Sequence, residues 1–382
     1  MKNLLLFLIL FFFLVPLTPA FAVEDPLAHP NNKFGIHILF DSELDEAKKL
    51  VNTNGGDWGY VIVPLQAGDK DLDKWQKFMD KAGEDHLIPI IRLATEGDYF
   101  NTSVWRKPQE EDVIDFANFL NSLTWPTQNR YVVVFNEINR GDEWGGTLDP
   151  AYYAQLLSYS VTVFKSINPD FFIISGGLDN AAPNQGTTFM NQYTFMREMD
   201  KAVPGIFNQV DGFSSHSYPN PGFSQPPTVK TDKSISSFMY ERDLLTQLTS
   251  KKLPIFITET GWSSQKVSDD LRAKYYKEAF QTIWNDPQIV AVTPFILRAS
   301  GPFDQFTFIK EGTTYTKQYT AIKDMAKVKG TPSLSKTVLA ASSYIASVPI
   351  EKSFSNEVNE SGTNPAELSK MLRATFKWVM KL

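Results

Sequence analysis

Two glutamates stand at the ends of long apolar runs. Glu137 closes Tyr131-Val132-Val133-Val134-Phe135-Asn136, and Glu259 closes Pro254-Ile255-Phe256-Ile257-Thr258. A carboxylate in such a place is costly unless it is paired or used. One alone reads equally well as a structural salt bridge, whereas two on segments that face each other point to chemistry. Paired carboxyl groups are the equipment of glycoside hydrolysis, where one carries the proton and the other attacks or activates water. A separation near ~5 Å permits a covalent glycosyl-enzyme, while an inverting route needs ~6.5–9.5 Å. On strands that face each other the two side chains can converge to several ångströms.

Other reactive types are scarce. The chain of 382 residues has no cysteine and four histidines, His29, His37, His86 and His216. Thiol nucleophiles, disulfides and thiolate metal sites are excluded, and no H-x-H or H-E-x-x-H spacing announces a metal centre, so neither metal nor cofactor is expected. The net charge of −6 comes without any basic run, which argues against nucleic acid as a partner. Chemistry must then come from carboxylates, hydroxyls and aromatic rings.

The elements that would position these groups alternate in one rhythm. Strand candidates fall at 34–40, 59–65, 87–93, 131–137, 171–177, 210–216, 254–259 and 289–297, all nearly continuous in apolar residues, as strands buried on both faces are. Helix candidates fall between them near 43–52, 72–83, 110–122, 150–166, 187–202, 234–249, 268–284 and 316–327. Asp149 followed by Pro150 marks a helix start, as do Glu110, Glu111 and Asp112. The pattern predicts an α/β fold, a (β/α)8 TIM barrel. A doubly wound sheet is the alternative, but Phe40-Asp41-Ser42-Glu43 after the first strand is no phosphate-binding turn. In a barrel the working residues sit where strands end. Those positions hold Asp41, Gln66, Arg92, Asn136, Glu137, Asp179, His216 with Tyr218, Glu259 and Arg298, and Tyr99, Trp105, Trp144, Trp262 and Phe303 lie in the loops just beyond.

An attacking carboxylate needs a donor beside it, and the Tyr218 phenol and the Arg92 guanidinium are the candidates; Arg92 reads equally as a clamp on loop carbonyls. His37 is either a sugar contact or a satisfied core histidine, with contact favoured. Trp144 and Trp262 are read as sugar platforms or as loop packing. Asn139 and Asp142, in a Gly-rich stretch, either line the aglycone side or merely turn the chain.

Asn-Glu at 136–137, His-Ser-Tyr at 216–218 and Thr-Glu-Thr-Gly-Trp at 258–262 arrive in order on the fourth, sixth and seventh strands. Over residues 33–328 this resembles glycoside hydrolase clan A, the retaining β-glycosidases on (β/α)8 barrels, with the family 5 cellulases and the family 39 enzymes nearest in character. The resemblance implies Glu137 as general acid/base, Glu259 as nucleophile, Asn136 as partner of the substrate 2-hydroxyl, and His216 with Tyr218 as the pair that orients the nucleophile and touches the sugar. It implies the shorter carboxyl spacing, a double displacement with net retention, and a β-linked polysaccharide or oligosaccharide as substrate. Two departures stand out: Ile138 follows Asn-Glu where many members have proline, and Phe295 or Arg298 occupies the place of a strand-eight tryptophan. The same carboxylates would also serve a transglycosylase that remodels cell walls, and the same barrel a carbohydrate-binding protein without catalysis.

The ends read differently. Lys2, the apolar run from Leu4 to Val15 and Ala20-Phe21-Ala22 form a signal-peptide pattern over residues 1–22, so the protein is expected to be secreted or associated with the cell envelope. Residues 23–330 are the expected catalytic domain and 331–365 a Ser/Thr/Ala-rich linker. Residues 366–382 are expected to form a basic amphipathic helix with Leu368, Met371, Leu372 and Phe376 on one face. That helix either rests on an anionic membrane surface or packs against the barrel or a second copy.

Overall fold

The computed structural model describes residues 23–95, 104–310 and 314–335. The expected signal peptide, most of the linker, the tail helix and Tyr99 lie outside the described residues.

Eight parallel strands carry the fold: β1 (Gly35–His37), β2 (Gly59–Gln66), β3 (Leu87–Ala94), β4 (Arg130–Asn136), β5 (Phe171–Gly177), β6 (Phe213–His216), β7 (Ile255–Glu259) and β8 (Ile289–Val292). β1 to β5 pair in chain order as one sheet and β6 to β8 as another. Isolated parallel bridges join the two, Ile174 with Gly212 and Asp179 with His216 on one side and Phe34 with Val292 on the other. The architecture is a (β/α)8 fold. β1 and β8 are shorter than their apolar runs suggested, because beyond Val292 the backbone continues as loop while still supplying Pro294 O to His37 N.

Between the strands run α1 (Leu44–Val51), α2 (Leu72–Glu84), α3 (Glu110–Ser122), α4 (Pro150–Ile167), α5 (Gln192–Ala202), a single turn α6 (Ile206–Gln209), α7 (Ser237–Leu248), α8 (Asp269–Gln281) and α9 (Lys317–Lys323). Asp149 caps α4 by accepting from Tyr152 N, with Pro150 at the first helical position, where its missing N–H costs nothing. α5 starts later than 187 because Asn191 caps it through Tyr193 N.

Alternation along the strands divides the core in two. Tyr60, Ile62, Ile88, Ile90, Tyr131, Val133, Phe172, Ile174 and Phe256 fill the barrel interior. Val61, Val63, Ile91, Val132, Val134 and Ile173 face the helices instead. The opposite end from the site is closed by chain: Glu24 N donates to Asn129 Oδ1, Thr331 N to Pro30 O and Gln128 N to Ser333 O. No helix among the described residues is long and apolar enough to cross a membrane.

Candidate active site

Regular alternation would not aim both glutamates inward. On β4, Tyr131 and Val133 enter the barrel, so Phe135 should follow them. Instead Phe135 has φ of 67°, lies in the outer core and meets the edge of Trp144 at 6.1 Å. The shift turns Asn136 into the barrel, and Glu137 follows with φ of 31°. Left-handed backbone at two bulky residues costs on the order of 1–3 kcal/mol each and persists only where packing imposes it. On β7 the register slips: Ser215 faces Ile257 but His216 faces Glu259, so Thr258 is an extra residue. Thr258 hydrogen-bonds with Ser214 at 2.5 Å, and Glu259 is brought inward beside it.

The result is a tight polar cluster above the apolar interior. Glu259 is buried, accepting from Tyr218 Oη at 3.0 Å and from Arg92 Nη1 at 2.6 Å. Glu137 accepts from His216 Nδ1 at 3.0 Å, and Arg140 Nη1 lies 3.4 Å from its other oxygen. One oxygen from each carboxyl, together with a ring nitrogen of His216, all lie within 4.8 Å of one another. His216 sits between the two acids, 3.8 Å from Glu259 Oε2. Burial alone would lower its pKa, but the negative charges of Glu259 and Glu137 outweigh burial and raise it. The ring presses on Gly177, where a Cβ would fall 2.3 Å from its atoms, so only glycine fits that position.

His37 lies 3.9 Å from Glu259 Oε1 and edge-on to Phe295, ring centres 5.0 Å apart. Burial, followed by the charges of Arg92 and His216, pushes its pKa well below the ordinary histidine value, which keeps it neutral. Tyr218 is pushed well above the ordinary phenol value by burial and by the charges of Glu259 and Glu137, so it remains a donor. Phe295, and not Arg298, borders the cluster from strand eight; the Arg298 charge acts on Glu43.

Asn136 and Arg92 link this cluster to a third acid. Arg92 Nη1 donates to Asn136 Oδ1 at 2.8 Å, and Asn136 Nδ2 donates to Glu143 Oε2 at 2.7 Å. Burial and the neighbouring charge of Glu137 push Glu143 up to about 7. Asp179 is pushed to about 6 by the same two causes. Arg140 stands among these acids, bonded to Asp142 at 2.7 Å and 3.5 Å from Asp179. Glu143 and Arg140 were not singled out from sequence, since a Gly-rich segment reads as a turn. The available signal was a charged pair within six residues of a strand-end glutamate.

Two expectations need correction. Trp144 and Trp262 are both 0% exposed and offer no face to a sugar. Trp144 packs among Phe135, Tyr152 and Tyr153, and Trp262 among Tyr275, Tyr276 and Trp284, with its Nε1 bonded to Gln225 O. Each loop folds its indole back into the helix layer, where a large apolar surface is best hidden. Asn139 is also buried, with its amide bonded to Asp179 and Met190 backbone, so it braces loops and lines no aglycone site. Asp142 is half-buried and engaged with Arg140. Glu137, His216 and Glu259 form the one cluster of metal-ligand types among the described residues, but two guanidiniums already neutralise its carboxylates and oppose a divalent cation.

No protein-family model matches the chain, and no curated protein matches it by sequence. Solved structures do. A family 39 glycoside hydrolase from the gut symbiont Bacteroides cellulosilyticus WH2 aligns at TM-score 0.55 and 17% identity, over 79% of this chain. The chain spans 64% of that protein's length. A GH128 (subgroup II) endo-β-1,3-glucanase from Sorangium cellulosum aligns at TM-score 0.53 and 14% identity, over 76% of this chain and 98% of its own. GH5_18 from Streptomyces cattleya, solved with Manβ1-4GlcNAc, aligns at TM-score 0.55 and 13% identity, over 77% of this chain and 80% of its own. With its strands, its order of elements and these neighbours, the chain has a (β/α)8 fold like that of these glycoside hydrolases.

Proposed function

We propose that the protein is a retaining glycoside hydrolase that cleaves β-linked bonds of an extracellular polysaccharide or oligosaccharide. The observation that carries this reading is the approach of Glu137 and Glu259 to within 4.8 Å at the ends of β4 and β7. An approach this close falls below the ~6.5–9.5 Å that an inverting enzyme keeps for its water, and so favours the retaining arrangement. Glu259, held by Tyr218 and Arg92, attacks the anomeric carbon, while Glu137 gives its proton to the departing glycosidic oxygen. Glu137, now a carboxylate, takes a proton from water, and the hydroxide displaces Glu259 from the anomeric carbon. Two inversions give net retention. The expectation of secretion from the 1–22 pattern supports an extracellular glycan.

A panel of β-glucan, mannan, xylan and galactan, with product sizing and NMR of the released anomer, tests the proposal. Initial release of the β-anomer, abolished by Glu259→Ala, is the expected result. Release of the α-anomer would overturn retention. Elongated products would assign transglycosylation, and binding of the glycan without any turnover would assign a lectin-like barrel.

A further inference from the structure

Asn136 is held from both ends by charged groups. Its Oδ1 receives Arg92 Nη1 at 2.8 Å, and its Nδ2 gives a hydrogen to Glu143 Oε2 at 2.7 Å. A flipped amide would put oxygen against the carboxylate and nitrogen against the guanidinium, two repulsive contacts in place of two attractive ones. Glu143 is itself fixed by backbone. It closes the single 3-10 turn Gly141–Glu143, whose Gly141 N donates to Thr188 O at 2.7 Å, while Asp142 O receives Trp105 N at 2.7 Å. The next residue, Trp144, buries its whole indole against Phe135, Tyr152 and Tyr153. A carboxylate placed so firmly against an amide beside both catalytic candidates has a use.

We propose that Glu143 is a positioning residue of this site: together with Arg92 it locks the amide of Asn136 in one orientation, leaving the second Nδ2 hydrogen for a sugar hydroxyl. The inference deepens the glycosidase reading and rests on it for that hydroxyl, while the lock itself is independent of turnover. It extends from one carboxyl to the other through a continuous path, Glu259 to Arg92 to Asn136 to Glu143. The charged groups that face Glu143 are Glu137 at the end of β4, Arg140 in its own loop and Arg92 on β3, with Asp179 reaching the group through Arg140. Glu143 gains its proton near pH 7, and its bond from Asn136 then passes from charge-assisted to neutral.

Two measurements test the lock. The first follows the side-chain amide protons of Asn136 by NMR across pH 5–9. Their shifts are expected to titrate with a midpoint near 7 in the wild type and in Asp179→Asn, and to lose that step in Glu143→Gln. A flat response in the wild type, or a step that survives Glu143→Gln, would overturn the proposal whether or not the protein cleaves a glycoside. The second is a kinetic double-mutant cycle on the best substrate. Glu143→Ala is expected to lower kcat/KM about 10- to 100-fold, as loss of a hydrogen bond to a charged group does. Glu143→Gln, which keeps an acceptor, should lose less. In an Asn136→Ala background the same Glu143→Ala change should cost less than about 2-fold, because the partner it positions is gone. Full additivity of the two losses would sink the inference and leave the assignment of Glu137 and Glu259 standing. A wild type inactive on every β-glycoside would sink that assignment and leave the NMR arm to decide the lock.

Discussion

The ends of β4 and β7 carry the same side chain in opposite surroundings. Around Glu259 the partners are donors, the Tyr218 phenol and the Arg92 guanidinium, with the ring of His37 3.9 Å away. Around Glu137 acids gather, with Glu143, Asp179 and Asp142 sharing Arg140 with it. His216 contacts both glutamates, 3.0 Å from Glu137 and 3.8 Å from Glu259. Donors satisfy the lone pairs of a carboxylate, whereas crowded acids raise one another's hold on a proton, as Glu143 and Asp179 show. The difference teaches that the division of labour between two chemically identical groups resides in their neighbours.

The strongest way to break the comparison is to remove each glutamate in turn. Glu259→Ala should lower kcat by on the order of 10⁴- to 10⁶-fold, and azide should restore turnover of an activated β-glycoside as the α-glycosyl azide. Glu137→Ala should cost about 10²- to 10⁴-fold on poor leaving groups and far less on good ones, with azide giving the β-azide. Exchanged azide products would reverse the roles of the two strands. Trp262→Ala, behind the β7 end, should destabilise the fold by about 3–5 kcal/mol in denaturant titration. An unchanged midpoint with a raised KM would mean that its indole faces substrate after all.

Glu241 on α7 sharpens the comparison from behind. It is buried, hydrogen-bonded to Ser215 and close to the charge of His216, and burial pushes it up to about 7 from a usual 4.5. The folded protein holds this proton more tightly than the unfolded chain. The associated stability is therefore complete below about pH 4.5 and lost as pH rises through 7, on the order of 3 kcal/mol. Melting temperature should fall between pH 5 and 8, and Glu241→Gln should flatten that slope; an unaltered slope would remove Glu241 as its source. The smallest effect expected is that of Tyr218→Phe, which deletes one donor to Glu259 and should cost about 10- to 100-fold in kcat. A loss confined to KM would place Tyr218 on the sugar alone.

Much of this was legible because strands buried on both faces must be apolar, so that a terminal Glu, Arg or His is conspicuous. Glu137, Glu259, Arg92, Asn136, His216, Tyr218 and His37, named from strand ends and strand interiors, occupy one cluster. Loops were less legible. Trp144 and Trp262 follow the two glutamates closely in sequence, but which way an indole folds back depends on helices packed later, and both went inward. Glu143 was hidden because its partner faces it only after Phe135 leaves the alternation. Glu241 was discoverable: it shares a face with Phe238, Leu244 and Leu245, where a carboxylate breaks the apolar stripe.

The departures from regular strand geometry at Phe135 and Thr258 bear on transplantation. Copying Asn-Glu and Thr-Glu onto the ideal strands of a designed barrel would carry the letters without the aim. With strict alternation Asn136 and Glu259 would point into the helix layer, where an unpaired amide or carboxylate is a stability fault. The portable unit is a pair of glutamates together with two backbone defects, one that brings Asn136 in beside Glu137 and one that turns Glu259, and the Trp144 packing that keeps Phe135 outside. In this barrel the imperfections are the part a designer must inherit.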